Sequence, residues 1–356
     1  MKDEIVLIEP FLKGNAVALV KDRKLQDFFI DFEGSNSSLI GASFVGEVQQ
    51  FFKNSKSCFI KLPNNKTGFL KGVGGLKSGN KLLLQSRMFS PKEALAVTTE
   101  LVFRGRYVVI TPKKRWVAFS RKIVDKHRRK ALADLGEKYP DIGDRKYGII
   151  FRSICSISSD EKIKEDIENQ LKRCRRVTST KLKDLIVIEE TTKALERAKQ
   201  EWFAFENQKV INEPGCFDNF SIWEQILALK ETTVKLSFGG NISIEPTQAL
   251  VAIDVNTGSD LSLAAGLKAN IQAISEVPRQ LRIRGLGGKI VIELGPLSRK
   301  HRKKIESVLK QNIALYSDKM RIAGWTILGN LELEKSRNRM SLGQSHFSQI
   351  EKNMRL

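Results

Sequence analysis

Two segments of this chain each run an apolar, β-branched stretch into a carboxylate: Ala249-Leu250-Val251-Ala252-Ile253-Asp254-Val255-Asn256-Thr257-Gly258 and Gly287-Gly288-Lys289-Ile290-Val291-Ile292-Glu293. Such a run suits a buried strand, and an acid at its end must leave the apolar interior for solvent or an ion. Between them the pattern predicts an amphipathic helix over Leu261 to Glu276, closed by Pro278 and followed by the basic alternation Arg279-Gln280-Leu281-Arg282-Ile283-Arg284. Strand, helix and strand make a βαβ unit, which brings the carboxyl ends of both strands to one sheet edge, where α/β sheets place their sites. Two acids at one edge repel each other unless a cation lies between them. A single strand-end acid is ordinarily a turn residue or a helix cap. The pairing, rather than either residue, points to a metal.

The charge of the whole chain suggests what lies beside that metal. With 61 Lys and Arg against 40 Asp and Glu in 356 residues, the formal net charge is +21, and self-repulsion of that size favours a polyanionic partner, nucleic acid first. The length allows two or three domains. No stretch approaches about 18 consecutive apolar residues, and Met1-Lys2-Asp3-Glu4 carries no signal-like pattern, so a soluble, cytoplasmic protein is expected. Cys58, Cys155, Cys174 and Cys216 form no CxxC pair and read as reduced, buried thiols. His127, His301 and His346 are not spaced as a helical metal pair, so the metal is held by oxygen, favouring magnesium or manganese over zinc.

Along the chain, Glu4 to Asp31 reads as a pair of strands about the polar turn Lys21-Asp22-Arg23, and Gly34-Ser35-Asn36-Ser37-Ser38 as a break. Short strand-like runs at Phe44 to Phe51, Cys58 to Leu62, Gly68 to Leu70 and Lys81 to Gln85 suggest a small barrel. One further strand covers Leu101 to Ile110. Basic residues then crowd at Lys113-Lys114-Arg115, Arg121-Lys122 and Lys126-His127-Arg128-Arg129-Lys130. Helices are expected at Asp160 to Arg176, at Asp184 to Asn207 with a stripe through Leu185, Val187, Ile188, Leu195, Ala198 and Trp202, and at Ile222 to Leu229.

The spelling around the acids narrows the reading. Asp254-Val255-Asn256-Thr257-Gly258 followed by Arg279 to Gly288 resembles the catalytic core of the ribonuclease E/G family of endoribonucleases, the Asp-Val-Asn-Thr-Gly form being most like its G-type members. Similar segments continue upstream at Ile244 to Leu250, downstream at Leu333-Glu334-Lys335-Ser336-Arg337-Asn338-Arg339, and near the start at Ala18-Leu19-Val20 and Leu25-Gln26-Asp27. The resemblance implies a magnesium ion, or manganese, held by Asp254 and Glu293, with Asn256 orienting the metal ligand or the phosphate and a water activated for attack on a phosphodiester. It implies a 5′-monophosphate sensor at Arg152 and Ser153, with Arg321 as a further arginine of that pocket; arginine grips phosphate through paired hydrogen bonds and a hydroxyl adds another. Phe59 and Phe69 match the family's RNA-stacking aromatics, although a strand phenylalanine is ordinarily core. Arg299, Lys300 and Arg302 in Ser298 to Lys304 open a helix whose dipole they oppose, so phosphate binding near Glu293 is the functional reading and a solvated basic face the plain one.

The resemblance also implies the architecture: an α+β and α/β chain of several subdomains. These are a split RNase H-like piece (1–36 and 187–228), an inserted OB-fold RNA-binding barrel (37–104), a 5′-sensor region (105–186) and a deoxyribonuclease-I-like catalytic α/β subdomain (229–356). Three departures stand out. Glu293 replaces the family's Asp with a longer side chain; the zinc-sharing cysteine motif and small domain do not occur before Leu356, so no zinc and no zinc-linked dimer are expected; and Ser259-Asp260 stands where a basic residue is expected. The function implied is magnesium-dependent hydrolysis of single-stranded RNA, leaving 5′-phosphate ends and favouring 5′-monophosphorylated substrates, in RNA processing or decay. A catalytically weak or inactive RNA-binding protein is the alternative, and a nuclease acting on DNA a third reading.

Overall fold

The computed structural model describes residues 4–33, 41–88, 94–143, 146–202, 209–237, 239–258, 262–314 and 319–354. The Gly34 to Ser38 break, Ser259-Asp260 and residues 203–207 of the expected helix lie outside these. The chain forms two compact units, Met1–Phe32 with Gln208–Leu356, and Glu33–Asn207. Strands are numbered β1 to β20 and helices α1 to α8 in chain order.

The first unit opens with three antiparallel strands, β1 (Glu4–Phe11), β2 (Gly14–Lys21) and β3 (Lys24–Ile30), where the sequence pattern suggested two. Glu9 and Pro10 interrupt the apolar run of β1, yet Glu9 is buried and accepts the Phe217 N–H at 2.6 Å. Asp22 and Arg23 both take positive φ, as a tight hairpin between right-twisted strands requires. β14 (Lys209–Asn212), which follows the second unit in sequence, pairs in parallel with β1. α4 (Cys216–Asn219) and α5 (Ile222–Leu227) cover this sheet, with Trp223 packed on Phe11 and Phe217 at centroid distances of 5.5 and 4.7 Å.

The second unit contains a closed five-stranded, OB-like barrel. β4 (Ser43–Phe52), β6 (Thr67–Lys71) and β7 (Lys81–Met88) extend three of the four expected runs, and β5 (Ser57–Lys61) lies one residue earlier than the fourth. Closure comes from β8 (Leu95–Thr98), which pairs in parallel with β6 and antiparallel with β7. A four-residue strand with no alternation gave no signal of its own.

Beside it, β9 (Phe103–Arg104) and β10 (Val108–Thr111) are a hairpin rather than the single expected strand, because the Asp166 carboxylate accepts the N–H groups of Tyr107 and Val108 at 2.7 and 2.9 Å and holds the turn. β11 (Val117–Phe119) and β12 (Gly148–Phe151) complete a sheet of order β11-β12-β10-β9. α1 (Lys126–Glu137) and α2 (Asp160–Thr178) bury Leu132, Leu135, Ile163, Ile167 and Leu171 in the core they share with it. The basic run at Lys126 thus opens a helix, capped by Asp125, and Arg128 is a structural clamp on the Cys155 and Ser158 carbonyls and Asp160.

The helix expected over Asp184 to Asn207 is a correction: β13 (Val187–Glu189) pairs with β4, and among the described residues of that span only α3 (Ala194–Glu201) is helical. Pairing with the available edge of β4 outweighs the helical stripe.

The remainder of the first unit is a six-stranded sheet of order β15-β16-β17-β18-β20-β19, built from β15 (Thr233–Lys235), β16 (Asn241–Pro246), β17 (Val251–Asn256), β18 (Gly288–Glu293), β19 (Met320–Trp325) and β20 (Leu331–Lys335). α6 (Leu263–Ile283) makes the parallel crossover from β17 to β18. Together with α7 (Arg302–Ala314) it buries Ile274, Val277, Leu281, Ile305 and Leu309 against one face of the sheet. α8 (Gln344–Met354) places Ile350 in the core of the N-terminal sheet.

Contrary to the sequence reading, Pro278 does not close α6. A proline inside a helix costs roughly 3 kcal/mol, but Ile274, Val277 and Leu281 on both sides of it are fully buried. The basic alternation after it is also anchored. Arg279 bonds Glu276 and the Leu25 carbonyl, Arg282 donates to Asp27 at 2.6 Å, and Arg284 bonds Gln280 and the Leu229 carbonyl. Arg339, from the segment after β20, also grips Asp27 through both of its terminal nitrogens, one at 2.8 Å. Burial alone would push the Asp27 carboxyl up; Arg339 and Arg282 hold it well below the usual carboxylate range. Three of the segments that carried the resemblance therefore meet in one buried ion triad.

The four cysteines are free and buried. Burial pushes the Cys155 and Cys174 thiols up to about 12 and Cys216 up to about 11. Among the described residues no helix is long and apolar enough to cross a membrane.

Candidate active site

Parallel pairing of β17 with β18 sets Asp254 directly opposite Glu293, the last pair of the ladder. Neighbouring strands lie about 4.8 Å apart, so the two acids stand side by side. Both strands alternate, with Ile253, Val255, Ile290 and Ile292 buried under the helices and Asp254, Asn256 and Glu293 exposed on the opposite face. Asn256, two residues on and hence on the same face as Asp254, donates its Nδ2 to Asp254 Oδ2 at 2.8 Å and reaches Asn241 Oδ1 at 3.4 Å. Among the described residues neither acid has an ion-pair partner, and there is no cluster of three or more His, Cys, Asp or Glu side chains. Two unpaired carboxylates at this spacing fit a hard divalent cation that completes its shell with water and phosphate oxygens.

The sequence did not single out Asn270. Its amide, fully buried on α6, exchanges two hydrogen bonds with Gly295: Nδ2 to the carbonyl at 3.0 Å, and Oδ1 from the N–H at 2.9 Å. A Cβ at Gly295 would lie 2.7 Å from the Thr257 methyl, so the loops that leave Asp254 and Glu293 pack on each other and are tied to the crossover helix. Only a fully buried polar side chain on a helix betrays such a clamp, and burial is not legible from one sequence.

The basic segment after Glu293 divides. Arg299 and Lys300 lie exposed in a 3₁₀ turn. Arg302 begins α7 with its guanidinium 4.6 Å from the centre of the Trp325 ring, whose indole N–H donates to Glu306 at 2.8 Å. Arg302 is thus held by packing, whereas Arg299 and Lys300, with Lys303 and Lys304 in the first turn of α7, are presented to solvent. Arg321, on β19, pairs with Glu334 on β20, Nε at 2.7 Å and Nη2 at 2.5 Å.

The remaining expected site residues belong to the second unit. Arg152 follows β12, and its Nη1 donates to the carbonyls of Gly105, Arg106 and Gln200 at 2.7, 3.0 and 2.7 Å. Burial, then repulsion from Arg104 and Arg106, lowers its pKa to about 10. Its Nε and Nη2, and the Ser153 Oγ, make no hydrogen bond among the described residues. On the barrel, Phe59 and Phe69 are direct cross-strand partners with ring centroids 5.3 Å apart. Phe59 is 36% exposed, Phe52 packs edge-on against it, and the Lys71 ammonium lies 5.6 Å from the Phe69 ring centre. Alternation along β5 and β6 turns these rings outward while Cys58, Ile60 and Leu70 fill the barrel.

Against known proteins, residues 102–214 and 186–339 match the model of the ribonuclease E/G family. The chain is 26% identical to a ribonuclease E of Buchnera aphidicola subsp. Schizaphis graminum, aligned over 92% of this chain and 40% of that protein. It is 25% identical to ribonuclease E of Escherichia coli K12 over 92% of this chain and 36% of the relative. With ribonuclease G of Escherichia coli K12 it shares 23% identity over 92% of this chain and 78% of the relative. The chain therefore spans about half or less of these ribonuclease E relatives. With the family model covering most of the sequence, including both strand-end acids, the chain belongs to the ribonuclease E/G family.

Proposed function

We propose that this protein is a magnesium-dependent endoribonuclease that hydrolyses single-stranded RNA to leave 5′-phosphate ends. The observation that carries the reading is the in-register pair Asp254 and Glu293, without ion-pair partners among the described residues and braced by Asn256, in a chain of this family. A divalent cation bound there would lower the pKa of an attacking water and offset charge on the phosphoryl oxygens. The residues' own tasks follow from their placement. Asp254 and Glu293 each offer carboxylate oxygens, Asn256 fixes the Asp254 rotamer through its 2.8 Å bond, and Arg299 and Lys300 supply charge for the RNA backbone. Phe59 and Phe69 offer two adjacent rings on which bases stack without sequence reading.

Arg152 and Ser153 supply the 5′-monophosphate preference, since Nη1 is fixed by three carbonyls and the other guanidinium nitrogens remain as donors. Arg321, paired with Glu334 on its own sheet, is assigned to that sensor by family resemblance alone. We assign the split RNase H-like piece, the 5′-sensor region and the deoxyribonuclease-I-like catalytic subdomain by family resemblance, and the cellular role as RNA processing or decay.

The test is cleavage of a 5′-monophosphorylated single-stranded RNA with magnesium. Asp254→Asn is expected to lower the rate by a factor on the order of 10²–10³, from the several kcal/mol such an ion contributes, with RNA binding retained. Glu293→Asp shortens the second acid and is expected to shift the ratio of magnesium- to manganese-supported rates. Wild type and Asp254→Asn binding RNA equally with neither cutting would leave an RNA-binding protein; preferential cutting of a matched DNA would make it a deoxyribonuclease. An Arg152→Ala variant that kept its preference for 5′-mono- over 5′-triphosphorylated RNA would remove the sensor assignment.

A further inference from the structure

The basic run Lys113-Lys114-Arg115 has no part in the site described above, but it borders a cavity of about 490 Å³ in the second unit. Arg115, Lys146, Arg175 and Arg176 line it together with Thr178 and Ser179. The last turn of α2 accounts for two of these cations, since Arg175 and Arg176 complement the negative end of the helix dipole. Asp141 and Glu189 hold them in place, at 2.7 and 2.9 Å. Arg115 and Lys146 come from different elements, the lead-ins to β11 and β12, and neither has an ion-pair partner among the described residues. No acidic side chain lines the cavity among the described residues. Four cations around one cavity match the oxygen-rich, singly charged phosphodiester.

An aromatic ring stands next to them. Trp116 is 52% exposed, and the Lys114 ammonium lies 5.5 Å from its ring centre. The loop that carries both is tied to its sheet: Thr111 Oγ1 donates to the Lys114 carbonyl at 3.1 Å, and the Ile149 N–H donates to the Trp116 carbonyl at 2.9 Å. A Cβ at residue 148 would meet the Lys114 carbonyl oxygen at 1.7 Å, so only glycine admits this approach. An exposed indole held beside a phosphate-sized basic cavity is the pairing that sequence-independent single-strand binders use. The cavity lies at the opposite end of β12 from Arg152, about 20 Å away by six strand steps of ~3.3 Å.

We infer that Trp116 and the Arg115/Lys146/Arg175/Arg176 cavity form an additional single-stranded RNA contact, with a base stacked on Trp116 and a backbone phosphate in the cavity. This rests on the reading of the chain as an RNA-binding nuclease. The test measures binding of a fluorescent 20-nucleotide single-stranded RNA to the full chain by anisotropy, in chelator so that nothing is cut, across a salt series. Arg115→Ala/Lys146→Ala should weaken binding and flatten the slope of log K against log salt by about 1.4, two phosphates at ~0.7 each. Trp116→Ala should raise Kd about five- to hundredfold with the slope unchanged. RNA carrying 4-thiouridine should crosslink to the wild-type peptide containing Trp116, a readout independent of any variant's folding. Variants that bind with wild-type affinity and slope, or a crosslink map without that peptide, overturn the inference while Phe59→Ala/Phe69→Ala still weakens binding. A wild type that binds no RNA overturns the functional reading as well.

Discussion

Replacing Asp27 by Asn tests how the acid-bearing sheet is tied to the rest of its unit. Asp27 is 1% exposed on β3 and accepts charge-assisted bonds from Arg282 at the end of α6 and from Arg339 after β20. Its Oδ1 also accepts the Phe28 N–H at 2.9 Å. Removing one partner of a buried ion pair costs about 3–5 kcal/mol, because the opposite charge stays behind without compensation. Here one carboxylate faces two guanidiniums, so the upper part of that range is expected. The assay is urea unfolding of the intact chain at neutral pH, followed by tryptophan fluorescence, since the buried Trp223 reports on the same unit.

The sign of the pH dependence follows from the depressed pKa. The stability that Asp27 contributes is fully present above the unfolded carboxyl value of about 3.9 and is lost as pH falls below it towards the folded value. Asp27→Asn should lack that segment of the acid limb. Asp27→Leu/Arg282→Met/Arg339→Met should recover much of the loss, because replacing a whole buried charge cluster by apolar groups is often neutral or stabilising. A single substitution costing under about 1 kcal/mol, or a triple variant as unstable as the single, would refute the argument.

Two further outcomes follow from the same geometry. Asn270→Ala removes both bonds to Gly295 and leaves its half-buried N–H and carbonyl without these partners, so it should cost about 1–3 kcal/mol and lower the cleavage rate more than RNA affinity; equal rates would deny the clamp a positioning role. His346 is buried against the Phe32 ring, and burial lowers its pKa. Its folded value being depressed, stability is full above the unfolded value of about 6.5 and falls as pH drops through it; His346→Gln should show a smaller drop in melting temperature between pH 8 and pH 5.5.

The strand-end acids, the βαβ crossover and most barrel strands were legible because each rests on a local period of apolar residues. What was illegible shares one cause. Pro278 reads as a helix end, yet burial of Ile274, Val277 and Leu281 carries α6 through it. The stripe after Asp184 reads as helix, yet an available barrel edge turns Val187–Glu189 into a strand. The cations of Arg279 to Arg284 and of Arg128 read in sequence only as basic runs, yet they are bonded to carbonyls and carboxylates of their own unit. Phe59 and Phe69 could sit inside or outside a barrel until the register of β5 and β6 turned them out.

The sequence by itself determined the family, the acid pair and the basic character, since these depend on residue identity and short-range order. Only the tertiary structure decided which charges are structural and which are presented. It set Asp254 opposite Glu293, sank Asp27 between two arginines, tied Gly295 to Asn270, and gathered Arg115, Lys146, Arg175 and Arg176 from three separate stretches of chain around one cavity. The energy of a charge depends on its burial and on its partners, and those are set by contacts between residues far apart in the chain.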